Sequence, residues 1–129
     1  LGAGVADRLR EQSAPVTEVN VAEKPNDPEN FDNLRSELWW NLRQLLDPNT
    51  KTNPNPIGLP PNDELLADLS GIKYKINSSG KIVVESKAEM KKRLGRSPDY
   101  GDAVCLLFAK GRRMNIDALR ALASIKIYR

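Results

Sequence analysis

With 129 residues, 40% of them hydrophobic and 29% charged, the chain has the size and composition of one modest globular domain, which excludes the disordered and fibrous classes. It contains no histidine and a single cysteine, so Ser-His and Cys-His nucleophile pairs, histidine-based nuclease sites, the common zinc centres and an internal disulfide are all ruled out. The net charge of +3 hides a split: residues 1–70 hold 12 acids and 6 bases, whereas residues 71–129 hold 5 acids and 14 bases. A polyanion partner and a plain solvated basic surface both suit that second half.

No apolar run approaches membrane-spanning length, and no basic-then-apolar signal pattern opens the chain, which reads as soluble and intracellular. It begins with Leu1 inside what reads as a structural element, as a piece of a longer protein would. "LGAGVADRLREQS" has the small residues of a turn feeding a helix, with Val5 and Leu9 at helical spacing. "VTEVNV" follows as a short β-rich run with Val16, Val19 and Val21. In "NDPENFDNLRSELWWNLRQLLDP", Asp27 suits a cap and Pro28 a first helical position. Phe31, Leu34, Leu38, Trp39, Leu42, Leu45 and Leu46 fall on one face of the predicted helix.

Residues 47–62 form a proline-rich loop carrying Pro48, Pro54, Pro56, Pro60 and Pro61. A short helix is expected from Asp63 to Leu69, then a hairpin in "IKYKINSSGKIVVES" around Ser78, Ser79 and Gly80. Ser86 and Glu89 make a capping box at the start of a basic helix that ends near Gly95. Ser97 and Pro98 are then expected to cap and start an apolar helix, with Asp99 and Asp102 in its first two turns and Cys105 buried among Val104, Leu106 and Leu107. Residues three apart share a helix face, so Asp99 and Asp102 project together from the positive end of the dipole. That arrangement serves a helix start, and it equally serves a shared divalent ion; spacing does not choose between them.

The stretch "VVESKAEMKKRLGRSPDYGDAVCLLFA" resembles the closing segment of the nuclease domain of bacteriophage terminase large subunits, the DNA-packaging motor proteins. Upstream, "GAGVADRLRE" and "NLRSELWW" resemble two further segments of that family in the same order and spacing, so the resemblance covers most of residues 2–109. It implies a partial RNase H-like α/β fold, with a mixed sheet, flanking helices and a β-hairpin, in one domain spanning 1–129 that forms the C-terminal portion of a terminase nuclease domain. It further implies cleavage of concatemeric double-stranded DNA with two Mg²⁺ or Mn²⁺ ions, one activating water and the other stabilising the leaving 3′ oxygen. Asp102 matches the family's last acidic position best and Asp99 a neighbouring, more variable one; both are the implied catalytic and metal-binding residues.

The family's first two acids, on strands, would both precede Leu1, and no phosphate-binding Gly-x-x-x-x-Gly-Lys motif is present, so the fragment alone is expected to be a poor nuclease. A non-catalytic fragment that binds DNA or a packaging partner is the alternative. Lys91, Lys92, Arg93 and Arg96 are the candidate DNA-binding residues, since they lead into the acids. Lys110, Arg112 and Arg113 read as ordinary bases at a helix C-terminus. Arg35 and Glu37 read as braces between helix and sheet, Trp39 as core, and Trp40 as part of an interface. In the full-length context the resemblance adds the terminase small subunit and the portal as partners and the host cytoplasm as location, with no membrane contact. A sheet edge left open by missing strands would also allow two copies to pair.

Overall fold

The computed structural model describes residues 2–49 and 51–109. The expectations for Lys110, Arg112 and Arg113 lie outside the described residues. Among the described residues, five helices and one hairpin follow in chain order: α1 (Gly2–Glu11), α2 (Leu34–Leu45), α3 (Asp63–Gly71), β1 (Tyr74–Ile76), β2 (Ile82–Val84), α4 (Lys87–Leu94) and α5 (Asp99–Leu106).

The small residues near the N-terminus lie within α1 itself, whose surface ion pairs are Arg8 with Glu11 and Arg10 with Asp7. The β-rich run at 16–21 forms no strand. Val19 and Val21 pack on the core, and the backbone carbonyls of Val21 and Glu23 accept hydrogen bonds from Arg35 and Leu34 at the start of α2, so this segment spends its polar groups on a helix end.

α2 starts later than the Asp27–Pro28 signal predicts. Asp27 instead closes a turn, its carboxylate accepting from both the backbone and side-chain amides of Asn30, and Phe31 forms a parallel bridge with Ile82. That pairing ties Phe31 to the hairpin, with Ile82 N–H donating to Asn30 O at 2.8 Å and Asp32 N–H to Ile82 O at 3.2 Å. Asn33 then caps the helix, its side chain accepting from Ser36 N–H at 2.9 Å. From there the expected face holds: Leu34, Leu38, Trp39 and Leu42 are buried together with Val84, Cys105 and Ala109. Leu38 and Leu42 are 2% and 1% exposed, each stabilising the fold by about 1.5–3 kcal/mol through burial alone.

The proline-rich loop is tied to the end of α2. The Asn53 side-chain amide donates to the carbonyls of Gln44, Leu45 and Asp47 at 2.9–3.0 Å, occupying acceptors that a helix C-terminus leaves open. α3 is capped by Asn62, which accepts from Leu65 N–H. The hairpin pairs Tyr74 with Val84 and Ile76 with Ile82 in antiparallel register, and Gly80 takes the positive φ of 77° that its turn requires. Together with the parallel bridge at Phe31, β2 thus has one antiparallel and one parallel neighbour. Ser36 joins α2 to this hairpin by accepting the Val84 N–H at 2.9 Å.

α4 carries the expected capping box, with Ser86 and Glu89 bonding each other's backbone N–H, and stops at Gly95 in the left-handed region. α5 departs from expectation at its start. Pro98, not Ser97, occupies the cap position, and no side chain there caps the helix. The cap comes from α3: Asp68, fully buried, accepts the Gly101 N–H at 3.0 Å and is itself held by Arg96.

Candidate functional site

α5 packs against both α2 and α3, which sets its first turn beside α2 and the start of α4. There Asp102, its side chain only 14% exposed, meets three partners. Its Oδ1 accepts from Arg35 Nη1 and from Trp39 Nε1, the latter at 3.0 Å. Its Oδ2 faces Lys87, whose Nζ lies 3.1 Å away. That ammonium is its ion-pair partner, and Oδ2 makes no other polar contact among the described residues. Asp99 lies on the solvent side, 72% exposed, with Oδ1 3.2 Å from the same Lys87 nitrogen.

One lysine therefore bridges the two carboxylates that the sequence singled out. Burial works against its charge, but the carboxylates of Asp102 and Asp99 outweigh that and hold its pKa above the ordinary value. Arg35 is the deeper cation. It donates through Nε to the Glu85 carbonyl at the end of β2 and lies 5.6 Å from the Trp39 ring centroid. Among the described residues, the buried side-chain polar atoms without a hydrogen-bond partner are Arg35 Nη2 and Asp102 Oδ2, the two halves of one ion pair. A cavity of about 210 Å³ opens here, its lining including Val19, Val21, Lys87, Asp102, Cys105 and Leu106.

Oxygen donors of this kind are the type that a hard divalent ion prefers, and the buried Asp102 Oδ2 has only the Lys87 ammonium facing it. No group of three or more His, Cys, Asp or Glu side chains converges among the described residues.

The four candidate DNA-binding residues divide. Lys91 and Lys92 are exposed on α4. Arg93 is bound to Glu85 through two hydrogen bonds of 2.9 and 2.6 Å and to the Gly71 carbonyl at 2.6 Å. Arg96 is bound to Asp68. The Arg93 guanidinium holds the Glu85 carboxyl below the usual range. Of the remaining residues, Trp39 is core and also a donor to Asp102, while Glu37 is buried and accepts the Asn26 N–H at 2.6 Å. Trp40 sits at a groove, with Tyr74 edge-on at 5.0 Å and Arg43 over its face at 4.6 Å. Sequence reasoning missed Lys87, although it stands in the Glu-Ser-Lys motif, and missed the Trp39 N–H, which a buried indole is bound to satisfy somewhere.

No protein-family model and no curated protein matches the chain. Among solved structures, it is similar to the nuclease domain of the large terminase subunit of bacterial virus Sf6. A point-mutant form of that domain with manganese and β-thujaplicinol shares 24% identity at a TM-score of 0.60, over 81% of this chain and 61% of that one. The domain without the mutation shares 24% identity at 0.55, with the same coverage. The mutant with manganese shares 22% at 0.58, over 82% and 60%. At these identities the likeness establishes the fold, which is that of the matched nuclease domain. The chain spans about three-fifths of the length of the domains it matches.

Proposed function

We propose that the chain is the C-terminal part of a terminase-type nuclease domain, forming a single structural unit that contributes Asp102 and Asp99 to a Mg²⁺- or Mn²⁺-dependent centre cutting double-stranded DNA. The observation that carries this reading is the buried Oδ2 of Asp102, which lacks a hydrogen bond and faces the ammonium that also reaches Asp99. The likeness in fold to a domain solved with manganese supports the choice of ion.

In this reading α5 delivers both carboxylates from one helix start. Arg35 and Trp39 hold Asp102 through Oδ1, and the half-exposed Lys87 neutralises the pair until a divalent cation takes its place. Divalent ions held there would supply an activated water and charge stabilisation at the leaving 3′ oxygen. Lys91 and Lys92 would follow the phosphate backbone, a contact that orients the duplex without reading its sequence. Two acids are too few for such a centre, so the remaining ligands come from outside the described residues and the fragment alone cuts poorly. In the full-length setting the substrate is concatemeric phage DNA in the host cytoplasm, handled together with a small subunit and a portal. The β1 edge, with Tyr74 and Ile76 exposed, is where a second copy would pair.

A second reading has one observation in its favour. Arg35 and Lys87 together already neutralise Asp102, as they would in a purely structural ion-pair cluster of a non-catalytic, DNA- or partner-binding fragment. Plasmid cleavage in Mn²⁺ separates the two. Activity in the full-length protein and little in the 129-residue chain supports the nuclease reading, whereas a full-length protein that binds DNA without cutting it supports the other.

A further inference from the structure

We propose that Trp39 is a positioning residue whose indole N–H keeps Asp102 from closing a two-point ion pair with Arg35, and so keeps Oδ2 available for a metal ion. This rests on the reading of Asp102 as a metal ligand. Arg35 and Trp39 lie four residues apart on α2, on one face of the helix, and both donate to the same oxygen, Asp102 Oδ1.

Guanidinium and carboxylate ordinarily meet through two parallel hydrogen bonds. Here they meet through one. The two atoms that the second bond would join, Arg35 Nη2 and Asp102 Oδ2, are both buried and neither makes a hydrogen bond, Oδ2 having the Lys87 ammonium 3.1 Å away as its ion-pair partner. The indole N–H at 3.0 Å favours the asymmetry from the Oδ1 side, as Lys87 does from the Oδ2 side, because a carboxylate turned to face Arg35 squarely would pull Oδ1 off the Trp39 donor. The ring cannot easily follow. It bears on Gly101 in the first turn of α5, where an added Cβ would lie 3.0 Å from Trp39 Cζ2, and it lies beside the Arg35 guanidinium. A neutral donor suits the task, since it orients the carboxylate without adding positive charge beside an incoming cation. Partners of this kind, one shell out from a metal, typically change its affinity 10- to 100-fold.

The test is Mn²⁺ binding by the full-length protein, followed by calorimetry and by the electron paramagnetic resonance signal of free Mn²⁺, with a thermal melt in metal-free buffer. Trp39→Phe removes the N–H. Replacing the Trp39 indole with benzothiophene, by incorporating 3-benzothienylalanine, does the same at nearly constant shape and decides the matter where the Phe variant folds poorly. The expected result is Mn²⁺ affinity lowered about ten-fold or more, while the metal-free melting temperature of the benzothienyl form is unchanged or raised, because Arg35 and Asp102 are then free to pair fully. Affinity equal to wild type in the benzothienyl form, with Asp102→Asn abolishing binding, overturns the positioning role. Unchanged affinity in Asp102→Asn as well brings down the metal-ligand reading itself.

Discussion

Asp68 and Gly101 are joined by a hydrogen bond of 3.0 Å, from the Gly101 backbone N–H to a fully buried carboxylate, and through it α3 caps the helix that carries Asp99 and Asp102. Removing the carboxylate by Asp68→Ala leaves the start of α5 uncapped and Arg96 without its partner. The expected loss is about 2 kcal/mol in a denaturant melt at constant m-value, with Asp68→Asn about half as costly because its amide oxygen still accepts from Gly101. An alanine variant as stable as the parent would show that α5 starts without help from α3.

Gly101 gives a prediction opposite to the usual rule. Alanine normally stabilises a helix over glycine by about 0.5–1 kcal/mol. Here a Cβ would overlap the Trp39 ring and come within 3.1 Å of Asp68 Cβ. Gly101→Ala should therefore destabilise the fold by about 1–3 kcal/mol, as overpacking does. A rise in melting temperature would mean that Trp39 and α5 can separate freely.

Duplex DNA binding should separate the exposed lysines from the paired arginines. Lys91→Gln with Lys92→Gln is expected to lower the slope of log affinity against log salt by about 2, one for each phosphate contact, without altering stability. Arg93→Gln should instead lower the melting temperature through loss of its bonds to Glu85 and Gly71, with the salt slope unchanged. A slope that responds only to the arginines would reverse the assignment.

Cys105 offers a pH test of the core beside the site. Burial, with a smaller contribution from the Asp102 charge, pushes its thiol from 9.0 up to about 12. The native protein should be inert to a disulfide-exchange reagent at pH 8, and the unfolded chain should react at once. Because the folded value is the higher one, this contribution to stability is complete below about pH 9 and declines as the pH rises toward 12. Rapid native-state labelling at pH 8 would place the thiol on the surface instead.

Elements whose signals are local were legible in the sequence. The helix at 63–71, the hairpin turning at Gly80, the Ser86–Glu89 capping box and the stop at Gly95 each rest on residues within a few positions of one another. What escaped was decided by distant partners. Ile82 pairs with Phe31 and delays α2 past Asp27; Asp68 rather than Ser97 caps α5; and the β-rich run at 16–21 packs Val19 and Val21 on the core and gives the Val21 carbonyl to α2. The two aspartates were singled out from spacing and resemblance, but their surroundings were not. Arg35 and Trp39 reach Asp102 across more than 60 positions, and Lys87 faces it from the preceding helix. Arg93 and Arg96 looked like a continuation of the Lys91–Lys92 basic run because the acids that engage them, Glu85 and Asp68, are not adjacent in the chain.

The central claim is that Asp102 holds a metal rather than only supporting a helix start, and Asp102→Asn in the full-length protein tests it most directly. Plasmid cleavage is measured beside a thermal melt, with and without Mn²⁺, for this variant and for Asp99→Asn. The account predicts that cleavage collapses in Asp102→Asn and falls less in the exposed Asp99→Asn. It also predicts that Mn²⁺ no longer raises the melting temperature of the Asp102 variant. Cleavage at the wild-type rate by a folded Asp102→Asn protein would contradict it, leaving Asp102 as the acidic half of a structural ion pair with Arg35.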